Sequence, residues 1–229
     1  MSQKPRLVIL SGAGVSAESG LKTFRDSDGL WENHKIEDVA TPEGFRANPG
    51  LVLDFYNQRR KQLSKAEPNA AHFAIAQAET WADVYVVTQN VDDLHERAGS
   101  TQVLHLHGKL TEAKSKADNN LIYDIGYQNI ELGDFCKNGF QLRPNIVWFG
   151  EAVPLLDEAA LWVQNADYLM VVGTSLNVYP AAQLIYYANP NANKAAVDPS
   201  DLSLPPEFIH IKAKASVGIS LLLKKWQRI

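Results

Sequence analysis

Six short apolar runs, separated by longer stretches of helical character, set the tightest limit on how this chain can fold. They fall at 7–10, 84–88, 103–106, 146–149, 169–172 and 195–197. Several are rich in β-branched residues and lack strict alternation of apolar and polar positions. A strand with one wet face alternates, whereas one covered on both faces need not. The runs therefore read as strands of a parallel sheet sandwiched between helices. Helical candidates lie between them at Pro49–Leu63, 70–81, 155–164, 180–188 and 217–226. This alternation predicts an α/β fold built on a Rossmann-like, doubly wound parallel sheet.

Two stretches break the pattern. Residues 32–69 hold no strand candidate and predict a helical excursion, and 109–143 read as a small loop-rich insertion. The expected organisation is a dinucleotide-binding domain made of 1–31, 70–108 and 144–229, with 32–69 and 109–143 forming a smaller domain. The net charge of −4 gives no basic excess for nucleic acid or a membrane surface. The single cysteine, Cys136, excludes an intrachain disulfide and suits the cytoplasm. The run at 7–10 is too short for a signal segment or a membrane span.

The first run leads into Ser11-Gly12-Ala13-Gly14-Val15-Ser16-Ala17, which fits G-x-G-x-x-A between a strand and a helix. Glycines there permit a tight turn and let backbone N–H groups approach a pyrophosphate at a helix N-terminus. The competing reading is a tight strand–helix turn with no ligand. A dehydrogenase would place an acid at the end of its second strand to hold the adenine ribose. Here the run at 84–88 ends in Gln89 and Asn90, so the loop points to a dinucleotide without pointing to hydride transfer.

That strand empties into Gln89-Asn90-Val91-Asp92-Asp93-Leu94-His95. The carboxyl ends of strands are where ligands sit in an open α/β sheet. The plainer reading is a helix start, with Asn90 as N-cap and Asp92 and Asp93 complementing the dipole, but it leaves Gln89 unexplained. His105 and His107 alternate along the next run and predict a shared face. With His95 they lack a recognised metal-ligand spacing, so no metal is expected. His107 is the better general-base candidate, because Gly108 lets the chain turn and leaves the ring at an edge.

Together these motifs resemble the sirtuins, NAD-dependent protein deacylases, over nearly the whole chain. The resemblance rests on Gly12-Ala13-Gly14-Val15-Ser16, Thr23-Phe24-Arg25, Gln89-Asn90-Val91-Asp92, His107-Gly108, Ile146-Val147-Trp148-Phe149-Gly150-Glu151 and Gly173-Thr174-Ser175. The stretches Ala17-Glu18-Ser19-Gly20 and Asp38-Val39-Ala40-Thr41-Pro42 look closest to the bacterial branch acting on acidic acyl groups. The resemblance implies NAD, consumed as co-substrate, with its phosphates held by Gly12, Ala13, Gly14, Ser16, Gly173, Thr174 and Ser175. It implies Phe24 and Arg25 on a closing loop, Gln89, Asn90 and Asp92 around the nicotinamide ribose, and the backbone of Ala215 beside the adenine. His107 would be the base, with Asn90 and Asp92 sharing the catalytic work. Val147, Trp148, Phe149 and Gly150 would pair with the substrate backbone as an added strand. The implied products are free lysine, nicotinamide and O-acyl-ADP-ribose, from acyl-lysine protein substrates and a monomeric enzyme.

Tyr56 and Arg59 stand at i,i+3 and share a helix face. A phenol and a guanidinium together suit a carboxylate, although a packed tyrosine beside a solvated arginine is the blander reading. The resemblance favours the former and implies a preference for succinyl, malonyl or glutaryl lysine, with weaker deacetylation. Two departures stand out. Most relatives bind zinc through four cysteines in the region where this chain has only Cys136, with Ser115 near the first ligand position. No zinc is therefore expected, and the insertion is expected to pack through Leu121, Ile122, Tyr123, Ile125, Tyr127 and Phe135. Ala196 falls where an asparagine would bond the adenine ribose, which predicts a loss of about 0.5–1.5 kcal/mol in NAD binding. Protein ADP-ribosylation, NAD hydrolysis and non-catalytic NAD sensing are the alternatives that the same ribose site leaves open.

Overall fold

The computed structural model describes residues 4–22, 30–31 and 34–227. Its centre is a six-stranded, all-parallel sheet. The strands are β1 (Arg6–Ser11), β4 (Asp83–Thr88), β5 (Val103–His105), β9 (Tyr168–Val172), β10 (Asn193–Val197) and β11 (Ile209–Ile211), in the order β11-β10-β9-β1-β4-β5. Successive residues of each strand point to opposite faces, which sorts the apolar runs into two cores. Leu7, Ile9, Val84, Val86, Met170 and Val172 pack under α4 (Ala70–Gln77) and α7 (Ala215–Trp226). Val8, Leu10, Val87, Leu104, Leu169 and Val171 pack under α6 (Leu156–Gln164) and the 3₁₀ helix Ala181–Tyr187. Each fully covered Leu, Ile or Val contributes roughly 1.5–3 kcal/mol of apolar burial, which explains why alternation is missing from the runs.

A third core joins the helical excursion to the insertion. The two-residue strand β2 (Leu30–Trp31) precedes the excursion, which holds β3 (His34–Lys35), a short strand the sequence did not show, then α1 (Ile36–Val39), α2 (Pro42–Ala47) and α3 (Pro49–Leu63). Thr41 and Asn48 cap α2 and α3 through the N–H groups of Gly44 and Leu51, and a proline opens each helix. The insertion carries a three-stranded antiparallel sheet, order β7-β6-β8, from β6 (Gly108–Ser115), β7 (Ile122–Asp124) and β8 (Leu142–Ile146). Leu110, Ala113, Ile130 and Ile146 meet Val52, Phe55, Tyr56 and Leu63 of α3 in one cluster.

Several expectations need correction. The run at 146–149 is not a strand of the central sheet. Only Ile146 is in strand, and β8 pairs antiparallel with β6. The insertion is rich in loops but also holds a small sheet that the sequence did not show, because its pairing is non-local and a register shift between Lys109 and Ala113 disrupts the alternation. Ile122, Tyr127 and Phe135 are exposed; of the expected set Ile125 packs against the core, beside the buried Leu110, Ala113 and Ile130. Residues 181–187 form a 3₁₀ rather than an α-helix; Ala181/Leu184 and Ala182/Ile185 repeat every three residues, which suits that helix. Strand β11, a partly exposed edge strand reading Ile-His-Ile, carries no apolar run to be read from sequence. α5 (Leu94–Arg97) completes the helices named here.

Candidate active site

The strand order places the topological switch between β1 and β9, where the sequence runs outward in two directions. Ligands of open α/β sheets bind beyond the carboxyl ends of the strands at such a point. Both glycine motifs lie there and interlock. Gly12 N–H donates to Val172 O at 3.0 Å, and Gly14 N–H to Gly173 O at 2.8 Å. A Cβ on Gly14 would sit 2.7 Å from Gly173 Cα, and one on Gly173, whose φ is +61°, 2.4 Å from Val15 N. The glycines are thus demanded first by each other. The amides of Ala13, Thr174 and Ser175 meet no acceptor among the described residues and remain for an anion. The expected α-helix after the loop is two 3₁₀ turns, Ala13–Val15 and Ala17–Ser19, closed by Gly20 at φ +83°.

Ser16 ties this loop to the polar cluster. Its hydroxyl donates to Asp92 Oδ2 at 2.9 Å and accepts from Asn90 Nδ2 at 3.1 Å. Asp92 also accepts Leu94 N–H at 3.2 Å, and Gln89 Nε2 donates to Thr174 Oγ1 at 3.3 Å. All three of Ser16, Asn90 and Asp92 are buried. Burial raises the Asp92 pKa, against the opposing bonds from Ser16 and Leu94. Asn90 is not the helix cap; α5 begins at Leu94, and Asp93 instead accepts Tyr127 O–H at 2.5 Å.

The three histidines divide cleanly. His105 and His107 reach adjoining carbonyls, Asn90 O at 3.0 Å and Gln89 O at 3.1 Å, each through Nδ1. His105 Nε2 meets the Glu96 carboxylate at 2.8 Å, so both its nitrogens are engaged. His107 differs. A carbonyl at Nδ1 assigns the proton there and leaves Nε2 as a bare acceptor. Burial lowers the His107 pKa, which keeps the ring neutral. Gly108, at φ +80°, has room for no side chain, since a Cβ would lie 1.9 Å from Asn145 O. His95 is fully buried against Ser11 Oγ at 3.0 Å and stacks edge-on to His72, with centroids 4.9 Å apart. Burial drives their pKa values down to about 3 and about 4.

On the other side, Tyr56 is fully buried and accepts Trp148 Nε1–H at 3.0 Å. Burial raises its pKa, so the phenol stays neutral. Arg59 is half-buried, with its guanidinium carbon 5.9 Å from the Phe55 ring centroid, and its charge acts on Tyr56. The fully buried guanidinium is the neighbouring Arg60, which donates to Leu110 O and Asn57 Oδ1. Residues 147–150 form no strand. The N–H groups of Val147, Trp148 and Phe149 already bond His107 O, Glu151 Oε2 and Ala40 O. Trp148 is buried, whereas Phe149 and Gly150 are exposed. Phe24 and Arg25 lie outside the described residues.

At the far end, Ala196 is fully buried in the core shared with Leu169 and Val171. Its side chain faces that layer and not the ligand edge, so the predicted loss of NAD binding there is withdrawn. The first residue beyond β10 is Asp198, 1% exposed, an acid at a strand end that sequence reasoning passed over by misaligning the run. Ala215 opens α7, and Glu18 of the second 3₁₀ turn bonds Ser216 N–H at 3.1 Å beside it. Asn69 was also missed. It caps α4 and donates to Val15 O at 2.8 Å and Ser19 Oγ at 2.9 Å, anchoring the glycine loop. Its asparagine-before-helix position was the available signal.

Comparison with known proteins agrees with this architecture. The Sir2 family matches residues 12–180. An NAD-dependent protein deacylase of Helicobacter pylori (strain ATCC 700392 / 26695) is 58% identical over 193 residues, 84% of each chain. A Sir2 homologue solved with NAD superposes with a TM-score of 0.87 at 38% identity, covering 98% of this chain and 90% of that one. A Sir2–p53 peptide–NAD⁺ complex superposes at 0.81 and 27% identity, covering 99% and 95%. This chain belongs to the Sir2 family, on its bacterial branch.

Proposed function

We infer that this protein is an NAD-dependent protein deacylase, acting on acyl-lysine side chains of other proteins. The observation that carries the reading is the meeting, at the β1/β9 switch point, of two interlocked glycine loops with a buried Ser16–Asn90–Asp92 cluster. NAD supplies the bond whose breakage drives the reaction, that between nicotinamide and its ribose. The amides of Ala13, Thr174 and Ser175 would hold the pyrophosphate, with Gly12, Gly14 and Gly173 giving backbone access. Asp198 would accept adenine-ribose hydroxyls, and the Ala215 backbone would border the adenine.

Gln89, Asn90 and Asp92 would surround the nicotinamide ribose. A carboxylate already stripped of water meets positive charge developing on that sugar more strongly than a solvated one. His107 Nε2, bare and neutral, would accept a ribose hydroxyl proton, with Gln89 O holding the ring. Tyr56 and Arg59 would take the carboxylate of an acidic acyl chain, giving a preference for succinyl-type over acetyl lysine. Phe149, Gly150 and the Val147 carbonyl would meet the substrate backbone, and Phe24 and Arg25 would close over the cofactor. We also propose a monomer acting in the cytoplasm without nucleic acid or membrane. The slightly negative net charge supports the absence of nucleic acid and membrane partners, and no helix among the described residues is long and apolar enough to cross a membrane.

The donor set at the insertion does not fit a tetrahedral zinc site. Cys136 Sγ faces Ser115 Oγ at 3.4 Å, and that oxygen also accepts Ala117 and Asp118 N–H. We propose that these bonds stand where a metal would otherwise be needed.

The test is incubation with NAD and a panel of acetyl-, malonyl-, succinyl- and glutaryl-lysine peptides, reading nicotinamide release and peptide mass. Deacylated peptide and nicotinamide should appear in equal amounts, and His107→Ala should abolish both. Because burial lowers the His107 pKa, the acid limb of kcat/KM should lie below the ordinary histidine value of about 6.5. Protein-linked ADP-ribose, or nicotinamide release without deacylation, would overturn the reading.

A further inference from the structure

The segment after β8 leaves the sheet and folds back on itself, with Gly150 at φ +88° making the reversal. That turn returns Glu151 beneath Trp148. One carboxylate oxygen, Glu151 Oε2, accepts both Trp148 N–H and Arg143 Nη2 at 2.8 Å. Arg143 also donates to Ile146 O at 3.1 Å and lies 3.7 Å from the centroid of the indole ring. Phe45 packs 5.3 Å from the same ring. The indole is therefore clamped by a cation and an aromatic ring, and its backbone is fixed by a carboxylate. Its outer edge delivers Nε1–H to Tyr56 Oη at 3.0 Å.

An indole N–H only donates, so the phenol must accept it. The accepted bond occupies one side of the hydroxyl and turns the phenol's own hydrogen to the other. We propose that Trp148, held by Arg143 and Glu151, is a specificity-determining positioning residue that aims the Tyr56 hydroxyl at the carboxylate of an acidic acyl chain. This rests on the Tyr56–Arg59 reading given above and extends it. Arg59 attracts the charge from any direction, whereas the phenol hydrogen selects a position. An acetyl group has no acceptor there, so the aim of the hydroxyl bears on acidic chains alone. Burial keeps the phenol protonated, and the charged groups acting on it are Arg59, Arg143 and Glu151. All of this sits outside the nucleotide loops, so it tunes the choice of acyl group and leaves the ribose chemistry to other residues.

The experiment compares kcat/KM for succinyl- and acetyl-lysine peptides in Trp148→Phe, Tyr56→Phe, the double variant and Arg59→Ala. Trp148→Phe keeps an aromatic ring in the clamp and deletes the donor. It should lower the succinyl-to-acetyl ratio about three- to tenfold, the usual worth of one hydrogen bond, through KM for the succinyl peptide more than through kcat. The double variant should be no worse in this ratio than Tyr56→Phe, because both remove one interaction. An unchanged ratio in Trp148→Phe, with a lowered ratio in Tyr56→Phe and Arg59→Ala, overturns the positioning role and leaves the acidic-acyl reading standing. Unchanged ratios in Tyr56→Phe and Arg59→Ala sink the acidic-acyl reading itself. If Trp148→Phe fails to fold, Glu151→Gln takes its place. That variant loosens the clamp and should lower the ratio about two- to threefold; an equal loss for both peptides would overturn the proposal.

Discussion

The nucleotide side and the acyl side of this site are held by different means. On the nucleotide side the two glycine loops are joined backbone to backbone, with side-chain bonds such as Ser16–Asp92 and Asn69–Val15 flanking them. Gly14 N–H meets Gly173 O, Gly12 N–H meets Val172 O, and no side chain fits between the loops. On the acyl side the contacts run through side chains: Arg143 to Glu151, Trp148 to Tyr56, and Arg60 to Asn57 and Leu110. A backbone-locked site admits almost no substitution, so its chemistry is fixed. A side-chain framework can be altered one group at a time, so its selectivity can drift while the chemistry stays.

The sharpest break of this contrast is Gly14→Ala. The added methyl would lie 2.7 Å from a backbone atom that has no freedom to move. Overpacking of this kind costs about 1–3 kcal/mol and pushes the two loops apart. Nicotinamide release should be lost for every acyl peptide alike, which turnover assays across the panel would read. A selective loss for succinyl peptides would contradict the division.

Arg60→Met tests the other side. It removes the donors to Leu110 O and Asn57 Oδ1 and leaves a buried carbonyl without its partner, at a cost of about 1–3 kcal/mol. The denaturant midpoint should fall while the affinity for NAD holds. A matching drop in NAD affinity would show that the two sides are one mechanical unit.

The smallest effect concerns metal. With Ser115 Oγ and Cys136 Sγ bonded to each other, a chelator should leave both the melting temperature and the turnover unchanged. Metal analysis of the purified protein should find zinc far below one equivalent. Stoichiometric zinc, or a melting point lowered by chelation, would refute the proposal.

The central sheet was legible because each strand's pattern is local. Leu7–Ile9 and Val8–Leu10 sort by parity alone; β11 escaped because it is a partly exposed edge strand reading Ile-His-Ile, and 146–149 was wrongly added. The glycine loop, the 89–92 cluster and His107 were legible for a similar reason, as each is a contiguous motif at a strand end. The insertion was not. β6 finds β8 across a gap of more than twenty-five residues, and the pairing decides which apolar groups are buried. Phe135 looked like core and is 61% exposed, whereas Ile130, in a run of polar neighbours, is 1% exposed.

The sequence by itself determined the α/β class, the switch-point loops and the identity of the base candidate, because periodicity and glycine punctuation act over a few residues. Only the tertiary structure decided that the glycines answer to one another before any ligand, that Asp198 follows the carboxyl end of β10 while Ala196 is buried in the core, and that Trp148 faces Tyr56. Those facts depend on which distant segments come into contact. Contact between segments ninety residues apart is set by the packing of the whole chain, and no local pattern encodes it.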